Sequence, residues 1–196
     1  MNLKDARNLG HISTIFDDKF SKKDCLTVDN RTLSFEEFSE LTTSYAKKFR
    51  ELGLQKGDKV GILLFNSIEY LALMYGAMYA GIIPVNINAR YKAKELHYVM
   101  HDSGCKALFT SSDSDEVTNF SNLISSVYDS PEGKPQNLSD VYIIGGSRDK
   151  RFKDFKDFEE IEVNNKIHQD PIGQDDDPAF IMYTSGTTAN PKGCPL

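Results

Sequence analysis

Chemically active side chains are concentrated in one segment of the sequence, from Tyr183 to Gly193. It reads YTSGTTANPKG, so four serine or threonine hydroxyls surround a glycine, and a lysine follows a few residues later. A polyphosphate carries several negative charges and many acceptor oxygens, and proteins hold it with convergent backbone N–H groups, hydroxyl donors and a cation. Glycine allows close backbone approach and positive φ in such a loop. The segment therefore predicts a loop that binds the phosphates of a nucleotide.

The residues expected to bind the nucleotide are Thr184, Ser185, Gly186, Thr187, Thr188, Ala189, Lys192 and Gly193. They follow the apolar run Ala179–Tyr183, which is predicted to be a strand. The carboxyl end of a parallel strand is where open α/β sheets bind ligands. The loop differs from that of P-loop NTPases, in which the lysine stands between Gly and Ser or Thr, because Lys192 lies between Pro191 and Gly193.

Alternating helix and strand patterns precede this loop. Ser34 and Glu37 form a capping box at the start of a helix that Gly53 ends, and the run Lys59–Phe65 suits a strand buried on both faces. Further helices are predicted over Ser67–Ala80, Ala93–Asp102 and Val117–Val127, and further strands over Ile82–Ile87, Lys106–Thr110 and Val141–Ile144. Strands separated by single helices imply βαβ crossovers, so the predicted fold class is α/β with a parallel sheet.

An aromatic stripe follows the last of these strands. Phe152, Phe155, Phe158 and Ile161 recur at steps of about three residues. This spacing predicts a short helix whose stripe faces the core, rather than a ligand-binding box.

Two other sets of residues could bind a metal ion. His97 and His101 lie four apart on a predicted helix, but the zinc-protease pattern also needs Glu where Tyr98 stands, which favours exposed or capping histidines. Asp175–Asp177 places three carboxylates in succession. Neighbouring residues of an extended segment point in different directions, so a solvated loop is favoured over a divalent-metal site.

The composition excludes several classes of function. The 196 residues carry 23 Lys and Arg against 29 Asp and Glu, a net charge of −6, with no basic patch suited to nucleic acid. The first 20 residues lack the apolar core of a signal peptide, and the stretch Tyr70–Val85 is broken by glycine and proline. No transmembrane segment and a cytoplasmic location are therefore expected. Three widely spaced cysteines, Cys25, Cys105 and Cys194, predict reduced small side chains.

The segment from Tyr183 to Gly193 resembles the phosphate-binding signature of the AMP-binding (adenylate-forming) superfamily. This superfamily contains acyl-CoA synthetases, firefly-type luciferases and the adenylation domains of peptide synthetases. The resemblance extends upstream, from about Asp24, through Gly57-Asp58-Lys59-Val60, Asn66-Ser67, Gly76-Ala77, Ala80-Gly81, Pro84-Val85-Asn86, Glu95-Leu96 and Asp102-Ser103-Gly104. It implies the βαβ layers of the N-terminal domain of an adenylate-forming enzyme.

The resemblance also implies a reaction. A carboxylate attacks the α-phosphorus of Mg-ATP to give an acyl-adenylate and pyrophosphate, and a thiol, expected to be coenzyme A, then takes the acyl group. It implies that Thr184, together with a downstream glutamate, helps to hold Mg²⁺. It also implies that Lys192, the expected catalytic residue, adds charge near the phosphates or closes the loop. A fatty or aromatic acid is the expected substrate of this acid–thiol ligase. Ala189 departs from the family pattern, which has glycine there.

The expected domain assignment is a partial N-terminal AMP-binding domain over residues 1–196, ending just after the phosphate-binding loop. In relatives the adenine pocket and the later catalytic groups follow this loop, so the isolated chain is expected to be inactive and to bind ATP weakly. Two alternatives remain open: a non-catalytic nucleotide-binding or interaction module and, among enzymes, an amino-acid adenylation domain.

Overall fold

The computed structural model describes residues 6–16, 18–112, 119–155, 171–184 and 190–196. Its helices are α1 (Leu9–Ile12), α2 (Asp18–Ser21), α3 (Phe35–Glu51), α4 (Ile68–Tyr79), α5 (Ala93–Ser103) and α6 (Phe120–Tyr128). Its strands are β1 (Asp24–Val28), β2 (Arg31–Ser34), β3 (Lys59–Leu63), β4 (Ile83–Asn86), β5 (Ala107–Ser111), β6 (Asp140–Ile144), β7 (Lys153–Phe155), β8 (Ile181–Thr184) and β9 (Lys192–Pro195). The chain divides into two compact units, one of Met1–Asp58, Asn66–Ile83 and Phe158–Ala179, the other of Lys59–Phe65, Pro84–Asp157 and Phe180–Leu196.

Helix α3 of the first unit begins and ends as its sequence predicts. The Ser34 N–H donates to Glu37 Oε2 at 2.7 Å, and the Glu37 N–H donates to Ser34 Oγ at 3.2 Å. The bond from the Ser34 N–H is the main cause that lowers the pKa of the Glu37 carboxyl. Gly53 has a φ of 80°, and the Leu54 N–H donates to the Phe49 carbonyl at 3.1 Å. The predicted capping box and the predicted end of the helix at Gly53 are both confirmed, and the bonds at that end form a Schellman motif.

Replacing Ser34 with alanine should lower the free energy of unfolding by about 1 kcal/mol, because the cap loses its hydroxyl acceptor. Urea denaturation of the purified chain measures the change. Ser39→Ala, inside the same helix, is the matched control and should be neutral or slightly stabilising, because alanine has the higher helix propensity. Equal effects of the two substitutions would contradict a capping role for Ser34.

Helices α3 and α4 pack closely within the first unit. The ring of Phe38 meets that of Tyr75 edge-on, with centroids 5.5 Å apart. Gly76 faces α3 so closely that an added Cβ would stand 2.9 Å from Tyr45 Cβ and 3.0 Å from the Thr42 carbonyl oxygen. Glycine is therefore needed at this position because it lets the two helices approach each other, and not because of its backbone conformation.

The second unit contains a seven-stranded sheet in the order β7-β6-β5-β3-β4-β8-β9. Parallel ladders join β3 to β5, β5 to β6, β6 to β7 and β4 to β8, whereas β8 and β9 are antiparallel. The side chains of β3 and β5 are almost entirely buried, including Ile62, Leu63, Leu108 and Phe109. Thr110 is buried as well, and its hydroxyl donates to the Leu63 carbonyl at 2.6 Å. The predicted α/β class with a mostly parallel sheet is confirmed.

The helix predicted from the aromatic stripe is wrong where the structure describes it. Lys153–Phe155 forms strand β7, which pairs in parallel with β6 through Tyr142, Ile143 and Ile144. Phe155 is buried and packs edge-on against Phe109, with centroids 5.1 Å apart. The core assignment of the stripe therefore holds for Phe155, but the ladder with β6 determines the backbone. Phe158 and Ile161 lie outside the described residues.

Among the described residues, no helix combines the length and apolar character needed to cross a bilayer. The three cysteines are free thiols: Cys25 is half-buried, Cys105 is buried and Cys194 is exposed. Burial raises the pKa of the Cys105 thiol to about 12.

Candidate functional site

The base of the predicted nucleotide loop is a pair of strand residues. Strand β8 ends at Thr184 and β9 begins at Lys192, and these two residues face each other in the antiparallel ladder. Tyr183 pairs with Gly193 one step further from the loop. The two ends of the segment that the sequence singled out are thus adjacent in space. Strand β9 itself was not predicted.

Thr184 and Lys192 are both exposed. Directly paired residues of an antiparallel ladder lie on the same face, so the threonine hydroxyl and the lysine ammonium share one side of the hairpin. A hydroxyl donor beside a cation is a donor set that fits a phosphate group. Thr184 and Lys192 are therefore suited to bind the phosphate group that the sequence predicts as the ligand.

The predicted site residues Ser185, Gly186, Thr187, Thr188 and Ala189 lie outside the described residues. Their assignment to the nucleotide remains a prediction from the sequence, as does the assignment of Thr184 to Mg²⁺. A single hydroxyl is only one ligand of the six that Mg²⁺ needs. Within the described ranges there is no group of three His, Cys, Asp or Glu residues that could hold a metal ion.

The parallel ladder with β4 determines what else lies at this edge of the sheet. Val85 pairs with Ile181 and Asn86 with Met182, so the carboxyl ends of β4 and β8 are neighbours. The turn after β4 is held by Asn88, whose Oδ1 accepts from the Arg90 N–H at 3.0 Å. Open α/β sheets bind ligands at this kind of edge.

Tyr183 makes a contact that sequence reasoning missed. Its hydroxyl donates to Asp102 Oδ2 at 2.7 Å, which joins β8 to the last turn of α5. Burial, followed by this bond to a carboxylate, raises the pKa of the Tyr183 hydroxyl. The sequence signal was present in the Asp102-Ser103-Gly104 motif, but nothing in it named a partner 81 residues away.

The side chains that the sequence offered as metal ligands make other contacts in the structure. The rings of His97 and His101 stack on α5 with centroids 6.1 Å apart. In the first unit, Asp177 accepts from Lys56 Nζ at 2.8 Å and from the Gln174 N–H at 2.7 Å. The bond from Lys56 is the largest of the causes that lower the pKa of Asp177. The acidic run is therefore a turn tied to the first unit, as the loop prediction required.

A polar cleft of about 970 Å³ also opens in the second unit, beyond the carboxyl ends of β5 and β6. Its lining residues include Ser112, Asn119, Gly145 and Arg148. Asn119 caps α6 by accepting from the Asn122 N–H at 2.8 Å. Gly145 and Gly146 follow strand β6 with φ values of 83° and 87°. Of the predicted nucleotide-binding residues that the structure describes, Thr184, Lys192 and Gly193, none lines the cleft.

A comparison with known protein families shows to which family this chain belongs. The profile of the family described as AMP-binding enzyme matches residues 16–196. The chain belongs to this family. The match runs through the β8–β9 hairpin, so the residues singled out by their chemistry lie within it.

Individual relatives agree with the membership in the AMP-binding family. The long-chain-fatty-acid–CoA ligase FadD13 of Mycobacterium tuberculosis is 31% identical over 162 residues, which are 82% of this chain and 29% of that protein. Gramicidin S synthase 2 of Brevibacillus brevis is 29% identical over 167 residues, covering 85% of this chain and 3% of that protein. The chain thus spans under a third of the length of either relative.

A solved structure supports the fold. The anthranilate CoA ligase AuaEII, determined in complex with anthranoyl-AMP, superposes with a TM-score of 0.80 and 25% identity. The superposition covers 100% of this chain and 36% of that protein. The architecture described above is therefore that of the corresponding part of an AMP-binding enzyme.

Proposed function

We propose that this chain supplies the phosphate-binding part of an ATP-dependent ligase that activates a carboxylic acid. The observation that carries the proposal is the Thr184–Lys192 pair, which places an exposed hydroxyl and an exposed ammonium at the two ends of the loop. Membership in the AMP-binding family supports ATP as the nucleotide. The proposal assigns the hydroxyls and amides of residues 184–189 to the phosphate oxygens.

The proposed reaction has two steps. In the first, a carboxylate oxygen of the acid forms a bond to the α-phosphorus of ATP, and the bond from that phosphorus to pyrophosphate breaks. In the second, the thiol of coenzyme A releases its proton to solvent, its sulfur forms a bond to the acyl carbon, and AMP leaves with the electrons of the broken C–O bond. Thr184 donates a hydrogen bond to the departing pyrophosphate, and Lys192 offsets the negative charge that develops on it. Bound Mg²⁺ would add further charge neutralisation, with Thr184 as one ligand.

A fatty or aromatic acid is the proposed substrate class. FadD13 is named as a long-chain-fatty-acid–CoA ligase, and AuaEII as an anthranilate CoA ligase. The similarity to gramicidin S synthase 2 favours a second candidate, an amino-acid adenylation domain. The thiol acceptor separates the two, because the first requires free coenzyme A and the second a thiol carried on a protein.

The test is exchange of labelled pyrophosphate into ATP by the whole ligase that contains this chain, with a panel of fatty, aromatic and amino acids. We expect exchange that depends on an added fatty or aromatic acid, and thioester formation on addition of coenzyme A. Exchange with amino acids alone would favour the adenylation domain. Complete absence of exchange with every acid would contradict the proposed function.

The substitution Ala189→Gly should preserve or raise the exchange rate. Glycine at this position restores the family pattern, and it adopts positive φ more readily than alanine does. The measurement is kcat and KM for ATP in the same assay, with Ala179→Gly, upstream of β8, as a control for general effects of glycine. A large loss of exchange in Ala189→Gly alone would contradict this interpretation of the loop.

A further inference from the structure

We propose that Tyr183 is a positioning residue that fixes the base of the nucleotide loop to helix α5, and that residue 193 is glycine in order to admit the Tyr183 ring. The catalytic consequence rests on the proposed function. The positioning itself does not, because it is a property of the protein without nucleotide.

The first observation is the bond between strand and helix. Tyr183 Oη donates to Asp102 Oδ2 at 2.7 Å. Tyr98, which lies on α5 together with Asp102, donates to Asp102 Oδ1 at the longer distance of 3.4 Å. A short hydrogen bond to a carboxylate is stronger than a neutral one. Helix α5 ends at Ser103, the residue after Asp102, and Gly104 caps it in the left-handed conformation with a φ of 69°. The acceptor is therefore held at a defined helix terminus.

The second observation is the space at Gly193. A Cβ added there would stand 3.0 Å from Tyr183 Cζ, 3.2 Å from its Oη and 3.4 Å from its Cε1. The φ of Gly193 is outside the positive region, so its backbone conformation does not demand glycine. The Leu196 N–H donates to the Phe180 carbonyl, so these two residues form a hydrogen-bonded pair. Hydrogen-bonded and non-hydrogen-bonded pairs alternate along an antiparallel ladder, which makes Tyr183 and Gly193 a non-hydrogen-bonded pair. Side chains approach most closely in pairs of this kind. The missing side chain is what lets the ring cross β9 towards Asp102.

The third observation is the neighbouring pair. Thr184 and Lys192 are the next residues along the ladder from Tyr183 and Gly193. Successive residues of a strand point to opposite faces, so the Tyr183 ring lies on the face away from the exposed hydroxyl and ammonium. Tyr183 can therefore hold both residues in place without contacting the nucleotide. A shift of the hairpin would move the hydroxyl and the ammonium together.

The direct test is hydrogen exchange in the absence of nucleotide. Tyr183→Phe keeps the ring but removes the donor, so amides of the β8–β9 ladder should exchange about tenfold faster, while those of α3 keep their rates. Tyr98→Phe, which removes the longer bond to the same carboxylate, is the matched control and should leave the ladder unchanged. Asp102→Asn should retain more protection than Asp102→Ala, because the amide oxygen still accepts. Wild-type exchange in Tyr183→Phe would overturn the proposal.

A second readout addresses catalysis. In pyrophosphate exchange, Tyr183→Phe should lower kcat about tenfold and leave the KM of the carboxylic acid unchanged, because misplacement of positioned groups affects the reacting geometry. Gly193→Ala should show the same pattern, since its methyl group displaces the ring. An unchanged kcat in Tyr183→Phe would overturn the catalytic consequence. A wild-type protein without any exchange would count against the proposed function, and hydrogen exchange would still decide the positioning role.

Discussion

Replacing Lys192 with alanine should reduce the rate of ATP–pyrophosphate exchange by about 100-fold. The lysine is exposed and faces Thr184 across the hairpin, so its ammonium stands at the base of the loop where the phosphates are proposed to bind. Its positive charge stabilises the charge that develops on departing pyrophosphate. The loss should appear in kcat more than in the KM of the acid, because the interaction strengthens as the Pα–O bond breaks.

Lys192→Arg and Lys47→Ala complete this experiment. Arginine keeps the charge but not the shape of the ammonium, so Lys192→Arg should retain part of the activity. Lys47 is exposed on α3, and its replacement controls for the loss of one positive charge from the surface. Exchange within about threefold of wild type in Lys192→Ala would show that the proposed charge stabilisation comes from elsewhere.

Replacing Gly76 with alanine should lower the free energy of unfolding by about 1–3 kcal/mol. The sign is the informative part, because glycine to alanine inside a helix ordinarily stabilises by about 1 kcal/mol. Here the new methyl group would stand 2.9 Å from Tyr45 Cβ and 3.0 Å from the Thr42 carbonyl oxygen. Neither atom is the end of a flexible side chain, so the two helices must separate to admit the methyl group.

Urea denaturation followed by circular dichroism measures the effect, and the slope of the transition shows whether the compactness of either state has changed. Ser39→Ala on α3 serves again as the control, with an expected change of zero or slightly positive sign. An increase in stability for Gly76→Ala would mean that α3 and α4 are further apart than described. The measurement is independent of any activity of the protein.

Local signals allowed the sequence to predict helices α3 to α6 and strands β3 to β6 and β8, but not α1, α2, β1 or β2. Ser34, Glu37 and Gly53 specify both ends of α3 within a single stretch of chain, and the structure has the same bonds. Strand β3 was predictable because its residues form a continuous apolar run bounded by a turn. Each of these features depends on neighbours in the sequence, which is why composition and spacing were sufficient.

The remaining features depend on contacts between distant residues. The spacing of Phe152 and Phe155 suits a helix, and only the ladder between β6 and β7 shows that Lys153–Phe155 is a strand. Strand β9 has the sequence KGCP, which has little strand propensity, and it forms by pairing with β8. The bond of Tyr183 to Asp102 crosses 81 residues and leaves no periodic pattern. For the site, the sequence identified the chemical groups and the structure showed which of them meet.

The most direct test of the central claim, that the loop between Thr184 and Lys192 binds the phosphates of ATP, is affinity labelling of the whole proposed ligase with an acyl-phosphate derivative of ATP. The neutral amine of a lysine beside the bound phosphates attacks the acyl carbon of such a probe and releases ATP, and peptide mass spectrometry then identifies the acylated lysine. We expect labelling of Lys192 that excess Mg-ATP suppresses, while background labelling of the exposed Lys47 does not change. No labelling of Lys192, or labelling that ATP does not suppress, would contradict the account.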